Sequence, residues 1–334
     1  MGLPLLAPPF VMPSCKLPGW LTTISCLVFG IRSAGRLMIS RFILTLLQLL
    51  ALQPRKMSQA LGWLIGYCHF LARSQACRVT QANIGLCFGH LSAQGQKKLV
   101  LSSLISTGKT LMETPATWLA DSKHLLKWIS EIEGEDLLIA ALRDSKGTLL
   151  LLPHLGNWEL LNVYLSQKGG TTALYKPPKL TSLSDAIVAL RSQYGNEMVA
   201  TDKRGLSRLF RALSQGGVVT VLPDQIPESG LFAAFFGSLA LTDRLAYRLT
   251  QRAKVTVLAV AVYRLPSGLF KICFSEPHPD FASLDEQTAV QGLNKTVEAC
   301  VRVCPEQYQW EYKRFKLRPE GEKNLYSFEK KAFH

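Results

Sequence analysis

The chain has 334 residues, 48% of them hydrophobic, and Lys and Arg outnumber Asp and Glu by 38 to 24, a formal charge of +14. This length and apolar content exclude a disordered chain and allow one elaborated domain, or a domain with a helical appendage. The charge favours anionic partners, whether nucleic acid, anionic membrane, phosphorylated lipid or an acidic carrier protein, and does not choose among them.

Residues 1–35 are proline-rich and then apolar, and the uncharged run 17–31 is shorter than the roughly 20 residues that span a bilayer. Lys16 before it and Ser33-Ala34-Gly35 after it allow a signal peptide, but a second apolar stretch follows so soon that an upstream extension is the preferred reading. In that second stretch Arg41, Thr45 and Gln48 fall on one narrow helical stripe, with apolar residues covering the rest. A helix over 57–71 is nearly as apolar, and Arg55 and Lys56 between the two suit anionic headgroups. The pair predicts an amino-terminal helical membrane anchor; two core helices of a soluble protein remain the alternative.

Ser92 is placed to cap a long helix over 93–118, kinked or interrupted at Pro115. Within it Ser106-Thr107-Gly108-Lys109-Thr110 imitates the end of a phosphate-binding loop, but Ser103 stands where the first glycine belongs and no strand precedes it, so no nucleotide site is expected. The eight cysteines lack paired CxxC spacing and supply no four-ligand zinc set; they read as reduced thiols, with no metal and no cofactor expected.

An α/β pattern then begins. Strands are predicted at 128–132, 149–152, 171–175, 218–222, 255–263 and 270–274, and helices at 135–143, 157–167, 182–194, 206–213, 242–253 and 284–303. The fold class expected is α/β, with a mostly parallel central sheet flanked by helices. The run Leu149-Leu150-Leu151-Leu152-Pro153 reads as its buried central strand, which puts His154 in a strand-to-helix turn, where open α/β sheets bind ligands. Glu159 lies five residues on; if the turn folds back, its carboxylate can hold one ring nitrogen and leave the other as a general base. The plainer alternative is a helix cap, with Asn157 capping and Glu159 complementing the dipole. Asp224, after the second apolar strand, can face the same crevice or merely make a turn after Pro223.

His154-Leu155-Gly156-Asn157-Trp158-Glu159 resembles the HX4(D/E) motif of the lysophospholipid acyltransferase superfamily. More narrowly, the chain from about Arg36 to Pro319 is similar to the lipid A biosynthesis lauroyl/myristoyl acyltransferases. Asn83-Ile84-Gly85-Leu86-Cys87-Phe88 looks like that family's segment entering the globular domain, with Gly89 where a proline often stands. Lys176-Pro177-Pro178-Lys179 resembles its Pro-Pro-Lys segment. Asp224-Gln225 with Pro227, Gly230 and Phe235-Phe236-Gly237 resembles its acceptor-side motif, with Ile226 replacing a common second aspartate. Tyr308-Gln309-Trp310 with Lys313-Arg314-Phe315-Lys316 resembles its basic aromatic carboxyl-terminal signature, suited to lipid phosphates or simply a solvated basic face.

The resemblance implies transfer of an acyl chain from an acyl carrier protein thioester to a hydroxyl of a phosphorylated glucosamine lipid, at the cytoplasmic face of a bacterial inner membrane. His154 and Glu159 would be catalytic, and Asn157, Lys176, Lys179, Arg204, Asp224 and Gln225 would contact substrate. The expected partners are the carrier protein, a glycolipid acceptor and membrane, with no nucleic acid. The expected divisions are an extension at 1–35, anchoring helices at 36–75, an acyltransferase domain at 76–320 and a basic tail at 321–334. Competing readings are an acyltransferase for a glycerolipid or aminolipid, and a non-enzymatic basic membrane or nucleic-acid protein; a serine hydrolase is disfavoured because no GxSxG elbow is present.

Overall fold

The computed structural model describes residues 43, 45–175, 191, 192, 194–326 and 328. Residues 45–51 are helical. Helix α1 (Arg55–Leu71) then crosses α3 (Ala93–Leu119), with α2 (Gln75–Cys87) between them in sequence. Small residues make the crossing possible: Ser58, Gly62 and Gly66 form the buried stripe of α1. A Cβ on Gly62 would lie 2.4 Å from Lys109 Cα, and one on Gly108 would lie 2.2 Å from the Gly62 carbonyl oxygen, so the backbones meet with no side chain between them. The opposite face of α1 exposes Met57, Leu61, Trp63, Leu64 and Leu71.

Among the described residues no helix is long and apolar enough to cross a membrane; α1 is half-buried against α3, and residues 36–42 and 44 of the expected anchoring segment lie outside the described residues. Arg55, expected to reach headgroups, lies over the Trp128 ring at 5.8 Å. Helix α3 begins at the expected cap, with Ser92 Oγ accepting from the Gly95 amide at 3.1 Å. It then runs unbroken through Pro115 for 27 residues. The phosphate-loop look-alike at 106–110 lies mid-helix, where Gly108 serves the crossing.

Past α4 (Ser122–Leu126) the chain forms β1 (Ile129–Glu133), α5 (Glu135–Arg143), β2 (Gly147–Leu151), α6 (Glu159–Ser166), β3 (Thr172–Tyr175), β4 (Glu197–Ala200), α7 (Lys203–Ser214) and β5 (Val218–Val221). It continues through β6 (Leu231–Phe235), β7 (Ser238–Thr242), α8 (Leu245–Arg252), β8 (Val255–Arg264), β9 (Phe270–Ser275) and α9 (Glu286–Val303). Seven strands form one sheet in the order β1-β9-β8-β2-β5-β3-β4. β8, β2, β5, β3 and β4 run parallel, and β9 turns back antiparallel to β8, with β1 parallel to it. The sheet is therefore mostly parallel, as expected.

Every residue of β2 is buried, and successive side chains alternate between the two faces. Leu150 and Leu152 pack with Leu138 of α5 and Leu160 and Leu161 of α6. Leu149 and Leu151 pack on the other side with Leu209 and Leu213 of α7 and Leu249 of α8. Helices cover both faces, which is why β2 reads as an unbroken apolar run.

β6 and β7 form a separate antiparallel hairpin. The carboxyl-terminal segment returns beneath the β2–α6 turn. There Tyr308, Trp310, Arg314 and Phe315 are all buried, and Arg314 donates to the Leu241 carbonyl and to Thr242 Oγ1. Arg314 is neither a solvated charge nor a phosphate contact; it ties the terminal segment to β7.

Candidate active site

Register builds the centre of the site. β2 and β5 are adjacent and parallel, with Leu151 opposite Val221. His154 and Asp224 each lie three residues beyond that pair, so two strand ends in step deliver them side by side. His154 Nδ1 lies 2.8 Å from Asp224 Oδ1, and the His154 amide donates to Oδ2 at 2.8 Å. Asp224 is 2% exposed at its side chain and His154 15%, so the ring alone faces outward. Burial pushes the Asp224 carboxyl up, but the imidazole and the hydrogen bonds from His154 more than offset it, leaving the carboxyl below its usual range. Trp158 meets the ring edge-on, with centroids 5.0 Å apart.

The carboxylate on the imidazole is thus Asp224, which corrects the expected pairing with Glu159. The chain leaves the strand in an open turn: α6 begins only at Glu159, whose side chain points along the helix, with one oxygen on Arg191 and the other accepting from Asn162 at 3.2 Å. Glu159 and Arg191 still line a cavity of about 390 Å³ together with His154, Tyr175, Asp243 and the apolar Met198 and Leu222. A larger cleft of about 1220 Å³ adjoins it, sharing Leu222 and Gln225, and its wall carries Lys203, Arg244, Arg248 and Arg252. Of these, Arg244 is held by Glu286.

The remaining expected residues separate. Gln225 is at the site, its Nε2 3.2 Å from His154 Nε2. Asn157 is fully buried and turned away from the cavity; it neither caps α6 nor faces it, and donates instead to Glu113 Oε2 at 3.1 Å. Arg204 is exposed on the first turn of α7 and lines neither cavity. Lys176 and Lys179 lie outside the described residues.

Asn157 joins a buried network beneath the turn. Glu113 accepts from Arg264 through both oxygens at 2.9 and 2.6 Å and from Gln59 of α1 at 2.8 Å. Arg264 also donates to Ser106 and Thr110, and Thr110 donates to the Gly156 carbonyl at 3.0 Å. Gly156 has φ +58°, and a Cβ there would lie 1.9 Å from the Val262 carbonyl oxygen. Only glycine fits a turn pressed this closely on β8. Sequence reasoning missed Arg191, which gives no local signal, and also Glu113 and Arg264. Of the last two, Arg264 had one: a charge closing the apolar run 257–263.

An imidazole oriented by a buried carboxylate, with its other nitrogen facing a cavity at the strand ends, can take a proton from a hydroxyl. The fold and site together define an α/β protein with a His–Asp pair at the strand ends, on a turn of HX4E sequence. A family model described as bacterial lipid A biosynthesis acyltransferase matches residues 33–317. The chain belongs to this family, and it is an acyltransferase of lipid A biosynthesis. It is 26% identical to the lipid A biosynthesis lauroyltransferase of Escherichia coli K12 over 82% of this chain and 90% of that protein. It is 28% identical to the palmitoleoyltransferase of the same organism over 77% and 83%, and 23% identical to its myristoyltransferase over 72% and 75%.

Proposed function

We propose that the protein transfers a fatty acyl chain from an acyl carrier protein thioester to a hydroxyl on a lipid A precursor, with His154 as general base. The observation that carries this reading is His154 Nδ1 held 2.8 Å from Asp224 in a residue that lines the cavity. As the acceptor oxygen attacks the thioester carbonyl, Nε2 takes its proton; the intermediate then collapses and the thiol leaves with a proton returned from the imidazolium. Asp224 holds the ring in the required tautomer and stabilises the imidazolium. Glu159 acts one step away by fixing Arg191, whose guanidinium is the cation available in the cavity for the developing oxyanion.

Both substrates are anionic, and the adjoining cleft suits them. Lys203, Arg248 and Arg252 line its wall, with Arg248 within electrostatic reach of Glu286. The acceptor hydroxyl is that of a 3-hydroxyacyl chain on a phosphorylated glucosamine lipid. The deciding measurement is acyl transfer by membranes of a host lacking its own late acyltransferases, given acyl carrier protein thioesters and a tetra-acylated lipid A precursor. A mass gain of one acyl chain is expected. No product here, with a glycerolipid or aminolipid acylated instead, would keep the chemistry and overturn the acceptor.

Membrane contact is assigned to the exposed face of α1 and the helix before it, where Leu46, Leu49, Leu52, Met57, Leu61, Leu64 and Leu71 are open to solvent. A row of this kind on one helix face fits the interfacial layer at the cytoplasmic side of the inner membrane. The double substitution Leu61→Glu and Leu64→Glu is expected to lower binding to anionic vesicles about tenfold or more in a flotation assay. Unchanged flotation would remove α1 from the contact.

A further inference from the structure

Glu311 lies in the terminal segment beneath the turn and takes no part in the mechanism above. Its Oε2 accepts from the Thr107 hydroxyl at 3.0 Å, and its carboxylate is also hydrogen-bonded by the Gln309 side chain. An ionised carboxylate only accepts. Gln309 therefore turns its NH2 group to Glu311 and keeps Oε1 for Gln225, whose Nε2 lies 3.3 Å away. The same Gln225 NH2 group lies 3.2 Å from His154 Nε2. A donor at that distance requires a lone pair on the ring nitrogen, and the proton is left on Nδ1, facing Asp224, the second acceptor-only group.

We propose that Glu311 is a positioning residue that, through the side-chain amides of Gln309 and Gln225, fixes the lone pair of His154 on Nε2. Carboxylates at the two ends of one hydrogen-bonded chain then impose the same tautomer on the ring between them. The backbone supports the alignment, because the Gln309 amide donates to the His154 carbonyl at 3.1 Å. Burial pushes the Glu311 carboxyl up, opposed by hydrogen bonds from its own backbone, Thr107 and Gln309, so the spectra are compared on the alkaline side of neutrality, which favours the ionised form. The value of this arrangement to catalysis rests on His154 being the base; the tautomer itself does not.

The test is ¹⁵N NMR of the full-length protein labelled at histidine, without substrate, with the His154 signals assigned by their loss in His154→Ala. Wild type is expected to show a protonated Nδ1 and a lone-pair Nε2. In Glu311→Leu the Gln309 amide is released and Gln225 can offer Oε1 to the ring; with Nδ1–H still facing Asp224, Nε2 then holds a second proton at a pH where wild type keeps its lone pair, so the lone-pair signature is lost. Gln309→Leu breaks the chain in the middle with Glu311 still charged, gives the same loss, and decides the matter should Glu311→Leu not fold. Glu311→Gln keeps an acceptor oxygen and keeps the signature. A lone-pair Nε2 in Gln309→Leu, or its equal loss in Glu311→Gln, overturns the proposal. A purely through-space effect has the opposite sign, since removing a negative charge makes the ring less ready to hold a second proton. No turnover is measured, so failure here is distinct from failure of the proposed activity.

Discussion

His154→Ala is expected to lower acyl transfer about 10²- to 10⁴-fold, the range in which a general base contributes, while the fold, monitored by circular dichroism, is kept. The side chain is partly exposed and its loss opens no core cavity. Asp224→Asn should fall nearly as far for a different reason. Its amide can donate to Nδ1, which pushes the ring proton to Nε2 and removes the lone pair the hydroxyl needs; a wrong tautomer of this kind costs on the order of 10⁴-fold elsewhere. The comparison is made on kcat at saturating acceptor. Activity within tenfold of wild type in His154→Ala would sink the mechanism, and the same result in Asp224→Asn would return the orienting role to another group.

Glu113→Ala should produce the largest loss of stability. Arg264 is 8% exposed and Glu113 fully buried, and removing one partner of such a pair leaves a charge uncompensated, at a cost of about 3–5 kcal/mol. The same carboxylate also accepts from Gln59 and Asn157. For a chain of this length the melting temperature should drop by roughly 5–15 °C. The double variant Glu113→Leu with Arg264→Met, which buries no charge, should recover part of that loss. Denaturant melts that place Glu113→Ala within about 1 kcal/mol of wild type would show that the pair is not desolvated as described.

Elements with a strong local pattern were legible in the sequence. α5 has the bounds that its apolar spacing predicts, and β2 starts two residues before the expected 149 because Gly147 and Thr148 already pair with β8. The β6–β7 hairpin was not legible. Its turn places Phe236 at φ +48° and Gly237 at +78°, the two positive values of a tight hairpin, yet the sequence there is Phe-Gly rather than Asn-Gly or Asp-Gly. β4 is short, lies at the sheet edge and begins with Glu197, so it carries no alternation to detect. The meeting of His154 with Asp224 depends on β5 lying next to β2, and strand order cannot be read from local spacing. That is why the nearer carboxylate, Glu159, was expected in the place Asp224 occupies.

The glycine crossing of α1 over α3 has a mechanical consequence. Backbones in direct contact leave no compliant layer between them, and Gln59, one turn before Gly62, bridges from α1 to Glu113 beneath the turn that carries His154. The exposed face of α1, proposed above to meet the bilayer, and the histidine therefore share one rigid frame, as a plane and its blade do. With that proposed contact, the height of the imidazole above the lipid surface would be set by construction, and an acceptor held at a fixed depth would always present the same atoms to it.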